Sequence, residues 1–255
     1  MILTRLGNKR RIAKKIIPLF PIHDVYMEPF FGAGGMFFSK PKAKYNIVND
    51  NDSDVYNLYM VLRDRKDELV QAYMNMPEHL DLWECWKKNQ EADPVMKAVR
   101  FIFLSNYGYL GKPHTMSVDA NNTKELFMSR IDKTQDMLKG VMFSNKDFRD
   151  FMSGVASRTI SRAFVYCDPP YLDTLDNYEA GGFSDSDTHD LFKLMMDYGG
   201  KFMISEFDRP KVLMWAMDYD LEVIEIGERK NLGNTRVEII VTNCPPCTRD
   251  ISGCR

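Results

Sequence analysis

The sequence predicts an α/β fold in which one sheet carries helices on both faces and is interrupted by an inserted, mainly helical domain. Three observations support this prediction. A strand, a glycine-rich turn and a second strand follow one another near the start, and an alternation of apolar strands with amphipathic segments returns after about residue 140. The region between them is rich in Met, Leu, Trp and Tyr and has few strand-like runs. A chain of 255 residues is long enough for one large domain or two small ones.

The N-terminal elements are typical of a βαβ unit. Residues 24–30 read as a buried strand, a helix is predicted to begin near Gly35 after the glycine turn, and residues 45–49 read as the second strand. A crossover of this kind joins parallel strands.

The C-terminal elements are expected to complete the same sheet. The pattern predicts strands at residues 163–167, 201–205, 221–224 and 237–241, and a helix over residues 188–198. We therefore assign residues 1–53 and 140–255 to a discontinuous sheet domain. Residues 54–139 form the helical insert, which includes a loop-prone stretch near residues 111–122.

Composition narrows the class of protein. No apolar run of eighteen residues and no signal-peptide segment occurs, so we expect a cytoplasmic protein without a membrane partner. The five cysteines are an odd number, which suits a reducing cytosol. Cys244 and Cys247 have the spacing of half a zinc site or of a redox pair, but no second ligand pair is present, so we interpret them as a reduced tail. No metal site is predicted.

The charge distribution is uneven. A net charge of −2 argues against a protein that coats nucleic acid, although charge placement matters more than its sum. Six basic residues precede the first acidic residue and form either a phosphate-facing surface or a solvated helix face. They are Arg5, Lys9, Arg10, Arg11, Lys14 and Lys15.

The glycine turn after the first strand predicts a nucleotide-like ligand. In Phe31-Gly32-Ala33-Gly34-Gly35 the closely spaced glycines let a ligand approach the backbone without an intervening Cβ. Asp50 comes directly after the second strand, where a carboxylate in such folds accepts hydrogen bonds from ribose hydroxyls. The full Gly-x-Gly-x-x-Gly spacing is absent, so a ligand with one ribose and no phosphate fits better than NAD.

The turn Asp168-Pro169-Pro170-Tyr171 comes directly after a predicted strand, at the sheet edge where open α/β folds bind ligands. The lone pair of an aromatic amine is delocalised into its ring, and hydrogen-bond acceptors can draw it out. The Asp168 carboxylate and the Pro169 carbonyl can accept from the two N–H groups, while the prolines hold both acceptors rigidly. The Tyr171 ring can stack on a base that has left the duplex. Alternatively, the turn is a stiff loop in which Asp168 caps the next segment of the chain.

Taken together, these motifs resemble those of the Dam-type, α-class DNA adenine-N6 methyltransferases. The resemblance covers nearly the whole chain, including the order of the motifs, and rests on residues 7–9, 28–35, 103–111, 165–171 and 236–243. It implies a Rossmann-like methyltransferase sheet, S-adenosylmethionine (AdoMet) as methyl donor, double-stranded DNA as partner and a target-recognition insert. It leaves the oligomeric state open, with a monomer as the default.

The resemblance also implies site residues. The donor would be bound by Lys9, Phe31, Gly32, Gly34, Asp50, Asp147, Phe148 and Asp168, with Arg5 at a position where the family often has an aromatic residue. DNA would be bound by Lys9, Asn106, Tyr107, Tyr109, Lys112 and His114, with Tyr109 entering the base stack.

Two departures bear on specificity. His114 stands where GATC-methylating members have a guanine-reading arginine, so a bidentate guanine contact is not implied. Glu206 stands where an asparagine is common in the family. The alternatives are methylation of cytosine N4, of an RNA amine or of a side-chain amide, an inactive binder of DNA and AdoMet, and, more distantly, an NAD-dependent oxidoreductase.

Overall fold

The computed structural model describes residues 2–5, 8–111, 113–117, 122–172, 183–231 and 234–244. Its described residues contain a seven-stranded sheet with the strand order β3-β2-β1-β4-β5-β7-β6. The strands are Val25–Glu28 (β1), Tyr45–Asn49 (β2), Val141–Ser144 (β3), Ala163–Cys167 (β4), Lys201–Phe207 (β5), Glu222–Asn231 (β6) and Asn234–Thr242 (β7). The pairs β2–β3, β1–β4 and β4–β5 are parallel, whereas β7 runs antiparallel to both β5 and β6. The predicted Rossmann-like α/β class is confirmed.

Helices occupy most of the chain between β2 and β3, as the composition of that region predicts. In chain order, the α-helices of the described residues are Ala13–Ile16 (α1), Ser53–Asp64 (α2), Lys66–Asn75 (α3), Leu80–Lys88 (α4), Pro94–Asn106 (α5), Thr123–Leu138 (α6), Phe148–Ser153 (α7), Ser157–Ile160 (α8), Asp185–Tyr198 (α9) and Pro210–Asp218 (α10). None of the helices in the described part of the chain is both long and apolar enough to cross a membrane.

The helix predicted near Gly35 is wrong. The glycine turn leads into a single 3-10 turn, Phe37–Ser39, and Pro41 comes soon after it. Gly34 has φ +69°, which is not a helical conformation, and Pro41 cannot donate to a continuing helix. The apolar residues after Gly35 therefore pack as a compact loop rather than as a helix.

The structure divides into two compact units. One comprises Met1–Arg11, Phe30–Lys42 and Asn46–Phe148, and the other comprises Ile12–Pro29, Ala43–Tyr45 and Arg149–Arg255. The first unit contains the glycine turn and helices α2 to α6, and the second contains β1 and β4 to β7. The division into a sheet domain and an insert at residues 54–139 stays a prediction.

Strands β1 and β4 position the chemistry of the second unit. Every residue of both strands is buried, as expected for central strands of a parallel sheet that is covered on both faces. Val25 pairs with Ala163 and Met27 with Val165, so the carboxyl ends of the two strands lie at the same sheet edge. Asp168 comes directly after β4 at this edge.

Candidate active site

The glycine turn has the open backbone that a ligand requires. Gly32 has φ +52°, and a Cβ built on it would meet no atom within 4 Å, so the space in front of it is open. Gly34 is different, because a Cβ there would collide with the ring of Phe38 and lie 2.8 Å from Phe31. Gly32 therefore faces open space, whereas the lack of a Cβ on Gly34 permits tight packing within the turn.

Asp50 is bound to this turn by its carboxylate. The Gly32 amide donates to Asp50 Oδ2 at 2.6 Å, and the Asp52 amide donates to Oδ1 at 2.9 Å. The carboxylate is half-buried, and its burial raises the pKa of Asp50 to about 6, although the nearby Arg5 guanidinium opposes the shift. Each oxygen keeps lone-pair capacity for a further hydroxyl donor.

Arg5 reaches this acidic loop through Asp52. Its guanidinium Nη2 lies 2.8 Å from Asp52 Oδ2 and its carbon lies 5.9 Å from the centre of the Phe101 ring. Asp52 is also the N-cap of α2, because its Oδ1 accepts from the Asp54 amide at 2.9 Å. The cation at position 5 therefore holds the loop that carries Asp50, a role that an aromatic side chain could not perform.

The raised pKa of Asp50 predicts that the binding of a ligand held by this carboxylate depends on pH. We expect the affinity for S-adenosylhomocysteine to fall as the pH drops below about 6, reaching about a tenfold loss near pH 5, because the protonated carboxyl accepts hydrogen bonds less well than the carboxylate. Arg5→Gln should move the fall to higher pH, since the guanidinium favours the charged form of Asp50. Calorimetric titration across this pH range measures both effects. Equal affinity at pH 5 and pH 8 would contradict this assignment of Asp50.

The N-terminal segment packs against the same turn. Lys9 is only 2% exposed and lies in the 3-10 turn Lys9–Arg11. A Cβ on Gly35 would collide with Asn8 Oδ1 and lie 3.0 Å from the backbone nitrogen of Lys9. The basic residues were predicted to form either a phosphate-facing surface or a solvated helix face. The buried Lys9 fits neither prediction, whereas Arg10 and Arg11 are exposed.

Aromatic side chains surround the turn. Phe31 is 2% exposed and packs edge-on against Tyr59 and Phe143, so its ring belongs to the core of the first unit. Phe30 is half-buried, and its ring centre lies 5.3 Å from that of Phe148. Asp147, next to Phe148, is also half-buried. Phe148 is only 4% exposed, so Phe30 is the more accessible ring of this pair.

The Asp-Pro-Pro-Tyr turn lies directly after β4 in the second unit. Asp168 and Pro170 are half-buried, while Pro169 and Tyr171 are buried. The Asp168 carboxylate and the backbone of the turn thus stand at the boundary between core and solvent, where a ligand can be desolvated on binding.

Two buried glutamates hold the end of this turn. The Tyr171 hydroxyl donates to Glu238 Oε1 at 2.5 Å, and the Leu172 amide donates to Glu206 Oε1 at 2.7 Å. Both glutamates are 1% exposed. The Tyr171 ring lies edge-on to Phe207, which pairs with Glu238 across β5 and β7. Burial and the neighbouring carboxylates of Asp168 and Glu238 raise the pKa of the Tyr171 phenol, which therefore stays protonated as the donor.

The bond between Tyr171 and Glu238 should contribute measurably to stability. We expect Tyr171→Phe to lower the free energy of unfolding by roughly 1.5–3 kcal/mol, the usual contribution of a hydrogen bond to a charged group. Glu238→Gln should cost less, because the amide oxygen still accepts from the phenol. Urea denaturation measures both changes, with Tyr45→Phe, at a 52% exposed tyrosine, as the control. If Tyr171→Phe and the control unfold at the same urea concentration, the bond contributes nothing.

The predicted DNA-contacting residues differ in their surroundings. Asn106 accepts from the Thr4 amide at 2.7 Å and donates to the Ile2 carbonyl at 2.9 Å, so its side-chain amide holds the N-terminal segment. Tyr107 is 1% exposed and packs on Phe103. Tyr109, by contrast, is 61% exposed, and His114 is exposed as well. Lys112 lies outside the described residues.

The described residues thus include an open glycine turn, a half-buried Asp168 in the Asp-Pro-Pro-Tyr turn and the exposed aromatic side chain of Tyr109. A family model described as D12 class N6 adenine-specific DNA methyltransferase matches residues 6–231. The chain belongs to this family. The prediction of an adenine-specific DNA methyltransferase is therefore confirmed at the level of the family.

The chain is also similar to individual proteins that are named as methyltransferases or methylases. The chain is 25% identical over 267 residues to the type II methyltransferase M1.LlaDCHI of Lactococcus lactis subsp. cremoris, with 93% of each chain covered. It is 29% identical over 180 residues to the DNA adenine methylase of Escherichia coli K12, where the match covers 65% of this chain and 62% of that protein. A structural likeness to a putative methyltransferase of Streptococcus mutans in complex with SAH has a TM-score of 0.39 at 10% identity, and it covers 92% of this chain and 95% of the other.

Sequence reasoning missed three residues of this candidate site. Asp52 carries the contact with Arg5, and the run Asp52-Ser53-Asp54 is a helix-start signal that could have identified it. Glu238 is a charged residue inside an otherwise apolar strand, which is itself a sign of a specific partner. Phe30 carried no signal beyond its place after β1. In the described part of the chain, no group of three or more His, Cys, Asp or Glu could hold a metal ion.

Proposed function

We propose that this protein transfers a methyl group from AdoMet to the N6 amino group of adenine in duplex DNA, after the base has swung out of the helix. The observation that carries the proposal is the Asp168-Pro169-Pro170-Tyr171 turn at the carboxyl end of the buried strand β4. Its end is held by Glu206 and Glu238. Catalysis of this kind depends on acceptors whose positions are set before the substrate arrives.

The turn activates the amine by accepting hydrogen bonds. The Asp168 carboxylate accepts from one N–H of the adenine amine and the Pro169 carbonyl from the other, which turns the nitrogen lone pair out of conjugation with the ring. The nitrogen then forms a bond to the methyl carbon while the carbon–sulfur bond breaks, and the electron pair of that bond stays on sulfur. The amine loses one proton, for which Asp168 is the nearest acceptor, and regains neutrality. Bound AdoMet supplies the methyl group on a sulfonium that leaves as a neutral thioether.

The first unit fits the donor. The open space at Gly32 accommodates a ligand close to the backbone, and the Asp50 carboxylate beside it suits two ribose hydroxyls. The half-buried ring of Phe30, packed on the buried Phe148, suits contact with an adenine ring, with Asp147 alongside. Gly34, Phe31 and Lys9 keep the turn in shape, and Arg5 holds the acidic loop. Asp168 is the residue that we assign to both the donor and the amine.

Of the residues predicted to bind DNA, we assign direct contacts to some and supporting roles to others. Tyr109 is the exposed aromatic side chain that fills the space of the extruded base, and His114 contacts the DNA beside it. Asn106 and Tyr107 support this segment from within, because their side chains are engaged or buried. The Tyr171 ring, fixed through its hydroxyl, stacks on the target base. Lys9 and Lys112 remain predicted contacts with DNA.

A product assay tests the proposal. The protein is incubated with tritiated AdoMet and, in separate reactions, unmethylated duplex DNA, single-stranded RNA and duplex DNA that lacks adenine. We expect label in N6-methyldeoxyadenosine, from the first substrate alone. Label in N4-methylcytosine or in RNA would show that cytosine or an RNA amine, rather than adenine in DNA, is the acceptor. Binding of DNA and donor without product would identify an inactive binder. Light scattering of the protein tests our expectation of a monomer. Fractionation of cells that contain the protein tests the expected location, the cytoplasm of a bacterial cell or a phage-infected host.

A further inference from the structure

A cavity of about 240 Å³ lies within the first compact unit. No residue of the glycine turn is among its lining residues. Three segments contribute to its wall: the N-terminal segment through Thr4, the segment that carries Tyr109, and the first half of α6. Much of its lining is polar, with hydroxyl, amide and guanidinium groups from Thr4, Asn106, Ser117 and Arg130. No step of methyl transfer uses this cavity.

Arg130 is the cation of this cavity. In the part of the chain that the structure describes, its guanidinium makes no hydrogen bond or ion pair, and its carbonyl accepts from the Thr134 hydroxyl. By contrast, Arg63 and Arg65 of the same unit are paired with Asp64 and Glu68. A half-buried guanidinium without an acidic partner retains its full capacity to bind an anion, and its planar fork suits a phosphate.

The rest of the wall is fixed and offers a second donor. Asn106 is held by hydrogen bonds to the backbone of Ile2 and Thr4. The Ser117 amide donates to the Tyr107 carbonyl at 2.7 Å, which leaves its hydroxyl, with no partner among the described residues, to donate into the cavity. A guanidinium and a hydroxyl on a rigid wall are the groups that commonly bind DNA phosphates.

We propose that this cavity binds a phosphodiester group of DNA, next to the place where Tyr109 enters the duplex. The inference rests on the proposed function, because it takes Tyr109 as the residue that enters the stack. Tyr109 is exposed and lines the cavity, so a strand opened by its ring brings its own backbone towards Arg130. The contact supplies affinity and fixes the register of the protein on DNA, but it reads no base. In this protein, His114 stands where the resemblance places a guanine-reading arginine.

The salt dependence of DNA binding tests this inference. Fluorescence anisotropy with two labelled duplexes of unrelated sequence, in the presence of S-adenosylhomocysteine, gives log Kd against log salt for each protein. Arg130→Gln should weaken binding to both duplexes and reduce the slope by about one, the contribution of one phosphate contact. Arg130→Lys should retain most of the slope, because it keeps the charge. Lys88→Gln is the control, since Lys88 is exposed on α4 and does not line the cavity.

The outcomes separate this inference from the proposed function. Equal slopes for Arg130→Gln and Lys88→Gln, with DNA binding and labelled product intact, would overturn the phosphate site alone. A loss confined to one of the two duplexes would also overturn it, because it would show base reading. Absence of DNA binding by the unaltered protein would overturn both. A thermal melt of each variant confirms that the substitution leaves the fold intact.

Discussion

Asp168→Ala is expected to reduce methyl transfer at saturating donor and DNA by roughly two to three orders of magnitude, the usual effect of removing one preorganised hydrogen-bonding group from a catalytic site. Asp168 is half-buried directly after β4, and no other side chain of its turn can accept a proton from the amine. Asp168→Asn should fall between the alanine variant and the parent, because its amide oxygen accepts one bond while its amide nitrogen cannot accept a proton. Single-turnover measurement with tritiated AdoMet separates this loss from donor affinity.

Asp218→Ala provides the matched control for that measurement. Asp218 is an exposed carboxylate at the end of α10 in the same compact unit, so its removal changes the net charge equally. We expect its single-turnover rate to stay within about twofold of the parent, as for surface substitutions in general. A rate for Asp168→Ala close to that of the control would show that another group binds the amine.

Asp50→Asn is expected to have the second-largest effect, on the donor. The Asp50 carboxylate accepts from two backbone amides, those of Gly32 and Asp52. An asparagine has one accepting oxygen, so its amide nitrogen must face an N–H group and the loop loses a bond. Because hydrogen bonds to a charged acceptor contribute about 1.5–3 kcal/mol, the Kd for S-adenosylhomocysteine should rise by roughly 10- to 150-fold. Titration calorimetry measures it directly.

Asp67→Asn controls for the loss of one negative charge, since the Asp67 side chain is 98% exposed in α3 of the same unit. Its donor affinity should match that of the parent. Binding of duplex DNA without donor should be unchanged in both variants, because neither position lies in the segment that carries Tyr109. If Asp50→Asn binds S-adenosylhomocysteine as tightly as Asp67→Asn does, the ribose contact lies elsewhere.

The predictable parts of the fold are those with a local signal. Strands β2 and β4 match the predicted residues because both are short apolar runs next to turn residues. Strand β3 was not predicted. It pairs with β2 at the sheet edge and has Met142 66% exposed, so it lacks the buried pattern of a central strand. Helix α10 was also not predicted, although Pro210 at its start is a recognised signal.

Strand lengths were less predictable. The strand predicted at residues 221–224 extends to Asn231 through a run of charged residues, because β6 pairs with β7 along its length apart from an irregularity between Glu225 and Gly227. Such pairing depends on a partner elsewhere in the chain rather than on local alternation. The same dependence on distant partners explains why parts of the candidate site were not predicted. The turns at Gly32 and Asp168 are sequence motifs, whereas the contacts Arg5–Asp52 and Tyr171–Glu238 join residues that are 47 and 67 positions apart.

The strand order also affects how the chain folds during its synthesis on the ribosome. β7 is made after β6 but is inserted between β5 and β6, so β5 has an unpaired edge until residue 242 has emerged. Glu238, the acceptor for the Tyr171 hydroxyl, arrives with that strand. A nascent chain therefore carries the complete Asp-Pro-Pro-Tyr motif well before the support of that motif exists. We expect a chain that is cut or stopped before Asn234 to lack this support and to leave the edge of β5 exposed.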